Sequence, residues 1–285
     1  MKKLLQILAI SFVLLLILIF IYQQESKPHD LEVYFLDVGQ GDSILIRTPD
    51  NIDILIDGGP DKKVLTEIGK ILPFWDQNIE LMILSHPHDD HLVGLVAVLN
   101  KYEVDKVIYD SQDEKNNNFQ EFKKIIKEKN IPISQSFYGE QINFSQDLYL
   151  QIIFPFKNID LEKIENLNNT SIVTRLVYKN NKFLFTGDVE QETEQLILQN
   201  QIDIQADILK VGHHGSKTSS SENFLDAVQP LEAVIMCGID NKFKHPHFIT
   251  LYKLNARNTN IFRTDQDKTI KCNSNGVDIT CGKML

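Results

Sequence analysis

The chain opens on an uncharged apolar run from Leu4 to Tyr22, broken only by Gln6 and Ser11 and preceded by Lys2 and Lys3. As a helix, a run of this length extends about 28 Å, close to the hydrocarbon thickness of a bilayer. The polar stretch Gln23–Pro28 has no small-x-small cleavage site, and no cysteine follows for lipid attachment. We therefore expect a transmembrane anchor at residues 1–22 and a linker at residues 23–30, with a cleaved signal peptide as the alternative. The lysines precede the span, which keeps the N-terminus in the cytoplasm and sets the rest outside, in contact with the cell membrane only through residues 4–22.

After the linker the apolar runs shorten. Leu31–Leu36, Ser43–Arg47 and Ile52–Ile56 are rich in β-branched residues and separated by Gly-Gln-Gly and Pro-Asp-Asn turns, the pattern of an antiparallel meander. Val64–Leu72 has helical spacing, Leu81–Leu84 is a buried-strand run, and Leu92–Asn100 is helical again. A strand at Lys106–Tyr109, a polar loop at Ser111–Asn118 and a helix to about Lys129 follow. The second half repeats the alternation. Strands are expected at Leu148–Phe154, Ile172–Tyr178, Phe183–Thr186, Asp207–Val211 and Leu231–Cys237, and helices at Gln191–Gln199 and His247–Arg257. Lys157–Asn169 reads as a loop. Two β-rich halves with helices imply an α/β domain over residues 31–285, sheet packed on sheet with helices outside.

The net charge of −10, from 29 basic and 39 acidic residues, argues against a broad nucleic-acid-binding surface. A local basic groove is compatible with it. The three cysteines, Cys237, Cys272 and Cys281, show neither zinc-finger spacing nor a disulfide framework. A hairpin centred on Asn275-Gly276 leaves Cys272 and Cys281 out of register, so no bridge between them is expected.

The histidines carry the chemistry. Seven of the eight fall in three clusters: His86, His88 and His91 in Ser85-His86-Pro87-His88-Asp89-Asp90-His91, then His213-His214, then His245-Pro246-His247. Imidazole and carboxylate hold zinc and related first-row metals, and a loop leaving a buried strand can aim several at one point. Thr186-Gly187-Asp188 and Gly212-His213-His214-Gly215-Ser216 also close strands. Gly215–Ser220 beside the histidine pair offers an anionic ester the hydroxyls of Ser216 and Thr218 and the cation of Lys217, unless it is simply a helix cap. Gly39, Gly41, Gly58 and Gly59 read as tight turns, with Asp37, Asp42 and Asp57 bonding loop backbone.

His-x-His-x-Asp-His, a later Thr-Gly-Asp and a strand-end histidine, in that order, resemble the metallo-β-lactamase superfamily. That resemblance implies an αββα sandwich with one or two metals between its sheets. Phe35-Leu36-Asp37-Val38-Gly39-Gln40-Gly41-Asp42-Ser43, Leu55-Ile56-Asp57-Gly58-Gly59, Leu209–Ser216 and Arg263-Thr264-Asp265 are similar to the ComEC group, competence proteins for DNA uptake whose extracytoplasmic end carries such a domain. ComEC proteins also have a multi-helix channel, whereas this chain offers a single span, so the likeness is to the hydrolase domain alone. By that resemblance His86 and His88 hold a first metal, Asp90 and His91 a second, and Asp188 bridges. One of His213 and His214 completes the second site; we favour His213, nearer the strand end, and expect His214 to contact substrate. Zinc is the first choice of ion, and manganese and iron suit the same ligands.

No histidine occurs from Ala97 to Asp188, and Asn168-Asn169-Thr170-Ser171 stands where many members place a third ligand of the first metal. One-metal occupancy is therefore open. Asp90 would steer the attacking water, and His245 or His247 would reach the metal, stabilise the substrate oxygen, or serve only as helix-start surface residues. The expected activity is hydrolysis of a phosphodiester, DNA or a phosphorylated wall polymer, outside the membrane. The competing readings are hydrolysis of a β-lactam, lactone or thioester, and a non-catalytic DNA-handling module.

Overall fold

Alternate residues of the buried strands enter two different cores, and this division sets the layers. In β1 (Leu31–Phe35), Leu31, Val33 and Phe35 join one cluster, while Tyr34 and the following Leu36 join another. β2 (Ile44–Arg47) and β3 (Asp53–Ile56) repeat this, with Ile44, Ile46, Ile54 and Ile56 on one side and Leu45 and Leu55 on the other. A strand apolar on both faces has to be covered on both. The computed structural model describes residues 2–25, 29–110 and 115–284. Part of the expected linker (26–28) and part of the expected polar loop (111–114) lie outside these.

After α1 (Lys2–Glu25) and the β1–β3 meander come α2 (Lys63–Ile71), β4 (Asn78–Ile79), β5 (Leu81–Ile83), α3 (Asp89–Lys101), β6 (Glu103–Val104), β7 (Val107–Ile108), α4 (Asn117–Glu128) and β8 (Ile133–Ser134). The second half holds β9 (Gln141–Asn143), β10 (Leu148–Phe154), β11 (Val173–Tyr178), β12 (Asn181–Phe185), α5 (Gln191–Gln199) and β13 (Ile208–Lys210). It continues through α6 (Glu222–Val228), β14 (Glu232–Ile235), α7 (Phe248–Asn255), β15 (Asn260–Arg263) and α8 (Thr264–Asp267). The hairpin β16 (Ile270–Ser274) and β17 (Ile279–Lys283) then returns to the first sheet beside β1.

Among the described residues β4 pairs with β6 alone, one sheet has eight strands in the order β17-β16-β1-β2-β3-β5-β7-β8, and a second has seven in the order β15-β14-β13-β12-β11-β10-β9. Their facing sides share a core that includes Phe35 and Phe185, whose rings lie 6.2 Å apart. Truncating either to alanine removes about 3–5 kcal/mol. Helices α2, α3 and α4 cover the outside of the first sheet, through Ile68, Leu95 and Phe122 among others. Helices α5, α6 and α7 cover the second through Ile197, Phe224 and Leu254. The result is the αββα sandwich. β3 and β5 run parallel, as do β12, β13 and β14, so each group delivers its following loops at one end.

Three expectations need correction. The metal run is not all loop: Asp89, Asp90 and His91 already form the first turn of α3, with His88 at its N-cap. Cys272 and Cys281 are bonded to each other and paired across β16 and β17. The hairpin loop is wider than a two-residue turn because Asn275 Oδ1 accepts the N–H groups of both Val277 and Asp278 (2.8 Å each), which shifts the register. Short elements without a strong pattern, such as β4, β6, β8, β9 and α6, were also not foreseen.

The apolar N-terminal run is helical, but among the described residues no helix is long and apolar enough to cross a membrane. The large apolar side chains from Leu4 to Ile19 are 44–62 % exposed, and none belongs to the three hydrophobic clusters.

Candidate metal centre

Asp90, His91, Asp188 and His214 each aim one ligand atom into a space where all four lie within 4.8 Å of one another. Asp90 and His91 come from the start of α3, Asp188 from the turn after β12, and His214 from the turn after β13. Two approaches seat α3 at this depth. Gly58 and Gly94 meet so closely that a Cβ on either would strike the other's backbone, and the Gly58 N–H donates to His91 O at 2.7 Å.

Each imidazole is oriented from behind. Asp57 Oδ2 accepts from His91 Nδ1 at 2.7 Å, and the same carboxylate accepts the N–H and hydroxyl of Ser85. His91 Nε2 therefore faces Asp188 Oδ2 at 3.3 Å. His214 Nδ1 donates to Met236 O at 2.9 Å with Asp42 Oδ1 alongside at 3.2 Å, and its Nε2 lies 3.2 Å from Asp90 Oδ2 and 3.3 Å from Asp188 Oδ2. A backbone carbonyl or carboxylate on one ring nitrogen leaves the other to face a metal.

Charge explains why these groups tolerate burial. Asp42, Asp57 and Asp188 are buried and Asp90 partly so, against one buried ammonium, Lys210, which is ion-paired with Asp42 and donates to Gly187 O at 2.8 Å. Burial works against a charged His91 or His214, yet Asp188 with Asp57 or Asp42 lifts both pKa values well above the ordinary 6.5. Burial would likewise raise the Asp188 pKa, and the two histidines hold it well below the usual carboxylate range. His91 Nε2 is buried without a hydrogen-bond partner, while Asp188 Oδ1 turns to Lys210 Nζ at 3.5 Å and leaves Oδ2 facing the histidines. An unpartnered ring nitrogen in a pocket rich in carboxylates fits a divalent cation of the kind His and Asp bind.

The structure places His214, rather than the favoured His213, in this group. Both residues adopt left-handed backbone (φ 49° and 55°), a conformation that turns successive side chains to different sides and is costly for non-glycine residues. His214 turns inward. His213 Nε2 stays 3.9 Å from Asp188 while its Nδ1 sits 3.2 Å from Glu190.

His86 and His88 form a second convergence, with Nε2 and Nδ1 3.0 Å apart, and burial holds the His86 pKa well below normal. No third imidazole joins them from Asn168–Ser171. Those residues brace the Asp188 loop instead: Ser171 Oγ accepts the Asp188 N–H at 3.0 Å, and Asn169 Oδ1 accepts that of Glu190 at 2.9 Å.

His245 is buried at the rim, its ring 6.2 Å from that of His214, with Nδ1 unpartnered and its pKa lowered to about 4 by burial. His247 Nδ1 instead accepts the Lys217 N–H at 2.9 Å, which makes it a brace of the neighbouring loop. The Ser216 and Thr218 hydroxyls lie 3.0 Å apart and lock that loop; Lys217 is exposed, and the helix cap is Ser221. Asp42 and Asp57 do far more than bond loop backbone, and Lys210 went unassigned. The available signal was a charge inside or directly after an apolar strand run: Leu55-Ile56-Asp57 and Ile208-Leu209-Lys210.

A model of the metallo-beta-lactamase superfamily matches residues 36–239. The chain belongs to that superfamily. It is 29 % identical over 271 residues to ComE operon protein 3 of Bacillus subtilis, covering 89 % of this chain and 34 % of the relative. It is 31 % identical over 268 residues to Recombination protein 2 of Haemophilus influenzae, covering 92 % and 31 %. The chain thus spans about a third of the length of these curated relatives and is similar to the hydrolase domain of the ComEC group. Among solved structures, the metallo-beta-lactamase fold protein YhfI from Bacillus subtilis superposes with a TM-score of 0.55 at 11 % identity, covering 89 % of this chain and all of that one. That likeness concerns the fold alone.

Proposed function

We propose that the chain is a membrane-tethered, extracytoplasmic phosphodiesterase that uses one or two divalent ions, zinc first, and acts on DNA or a phosphorylated wall polymer. The observation that carries the hydrolytic part is the convergence of Asp90, His91, Asp188 and His214, in which the buried His91 Nε2 lacks a hydrogen-bond partner. The name of the second relative, a recombination protein, supports a DNA substrate. The tether is supported by the exposed apolar side chains of α1, and the outside location by the Cys272–Cys281 bond, since disulfides persist in oxidising compartments.

His91, Asp188, His214 and Asp90 would hold the ion, with His86 and His88 as a weaker second pair. A divalent metal bound there supplies Lewis acidity and a water that ionises near neutral pH. Asp90, the most open of the four with its side chain 30 % exposed, is placed to orient the attacking water. Asp57 and Met236 O fix the two imidazoles, and Lys210 holds Asp42 behind them. His245, neutral and with Nδ1 unengaged, stands where it can donate to an ester oxygen.

The test is an assay of the full-length protein on bis-p-nitrophenyl phosphate and single-stranded DNA with added zinc or manganese. Metal-dependent cleavage of both, abolished in Asp188→Ala, is expected. Cleavage of a β-lactam or thioester with neither diester touched would overturn the reading.

A further inference from the structure

The loop between β14 and α7 sets an exposed aromatic ring at the rim of the centre, and the hydrolytic chemistry makes no use of it. Phe243 is 48 % exposed, yet it stacks on His245 with 5.6 Å between ring centroids and 21° between planes. His245 in turn lies against His213 and His214, so Phe243 is two ring contacts from the candidate ligands. The loop backbone holds the ring there. Asn241 Nδ2 donates to the carbonyls of Gly238 and His245, its Oδ1 accepts the His245 N–H, and the Gly238 N–H is bound by Gln40. A large apolar ring gains free energy by burial, yet this one stays about half-exposed at the rim.

The charges flanking the ring are cationic, with one exposed carboxylate, Asp240, earlier on the same loop. Lys242 and Lys244 flank Phe243, and Lys217 projects from the adjacent loop that His247 braces. All three are exposed, and none pairs with a carboxylate among the described residues; Lys242 Nζ lies 4.9 Å from the Phe243 ring centre. In a chain of net charge −10, three cations around one exposed ring match a ligand that is anionic along its backbone and flat at its side groups. Single-stranded nucleic acid has that chemistry, because phosphates seek cations and every unpaired base has a face to stack. A polyol-phosphate polymer has no such face.

We propose that Phe243 is the base-stacking residue of this site: it receives the unpaired base adjoining the phosphodiester at the metal centre, with Lys217, Lys242 and Lys244 on the flanking phosphates. The inference rests on the phosphodiesterase reading and narrows it to a single nucleic-acid strand.

The test separates stacking from turnover. Full-length protein is titrated with a phosphorothioate-linked oligonucleotide, which resists cleavage, carrying a fluorescent adenine analogue whose emission falls when it stacks. Wild type should bind and quench. Phe243→Leu should lose the quenching and bind about tenfold more weakly or worse, while Phe243→Trp keeps both. An oligonucleotide abasic at that position should bind wild type and Phe243→Leu alike. Equal quenching and affinity in Phe243→Leu and wild type overturns the proposal, and so does a wild type that does not bind. Failure of the phosphodiesterase reading shows separately, as a protein that binds and quenches but cleaves neither DNA nor bis-p-nitrophenyl phosphate.

Discussion

Asp57 grips His91 through a 2.7 Å contact between Oδ2 and Nδ1, and so sets the direction in which the opposite nitrogen faces Asp188. The same carboxylate binds Ser85, so one buried side chain ties the end of β3 to the loop after β5 and to the first turn of α3. Replacing Asp57 with asparagine removes no ligand. It should nevertheless weaken metal affinity by about 10- to 100-fold, the usual loss when an outer-shell partner is removed. Competition against a chromogenic chelator measures this, and unchanged affinity would show that His91 needs no such support.

The raised pKa values of His91 and His214 fix the sign of the pH dependence. Without metal the pocket offsets its carboxylates with protons, so binding an ion expels protons and affinity rises with pH. Calorimetry in buffers of different ionisation enthalpy should show net proton release near neutral pH; none would contradict the protonated state.

The same groups affect stability. A histidine whose pKa is higher folded than unfolded contributes stability that is complete below the unfolded value of 6.5 and fades as pH rises through the folded value. The metal-free protein should therefore lose stability on the alkaline side while the loaded protein does not. The gap between their melting temperatures should widen as pH rises above the unfolded histidine value of 6.5, and a constant gap would count against this account.

His214 and His213 should separate in one experiment. His214→Ala should abolish tight metal binding, whereas His213→Ala, whose ring sits against Glu190, should leave most of it. Metal content after reconstitution and desalting gives the answer, and the reverse pattern would restore His213 as the ligand.

That choice marks where the sequence stops being informative. The run from His86 to His91 declares itself because its ligands lie close along the chain and follow a buried strand. Asp188 and the histidine pair are legible by their order after strands. Which member of the pair turns inward depends on two left-handed residues and on Met236 O, contributed by the neighbouring strand segment, and no local pattern encodes either. Asp42, Asp57 and Lys210 act through tertiary contacts for the same reason. The β-branched runs of β1, β2 and β3 foretold a meander, and the two β-rich halves with helices foretold packed sheets, while two- and three-residue strands such as β4 and β9 are too short for any period to show.

The Cys272–Cys281 bond closes a short loop between paired strands. Reducing it, or replacing both residues with serine, should remove about 2–3 kcal/mol, as a loop of this size implies. Urea unfolding with and without reductant is the check, and coincident curves would make the bond dispensable.

The most direct test of the metal centre is the rate at which Asp90→Ala cleaves single-stranded DNA, measured beside His88→Ala and with folding verified by circular dichroism. Asp90 belongs to the four-residue group and is placed to orient the attacking water, so its loss should slow cleavage by about three orders of magnitude or more. His88 belongs to the pair without a third imidazole and should leave a larger residual rate. An Asp90→Ala enzyme as fast as wild type would contradict the assignment of this centre.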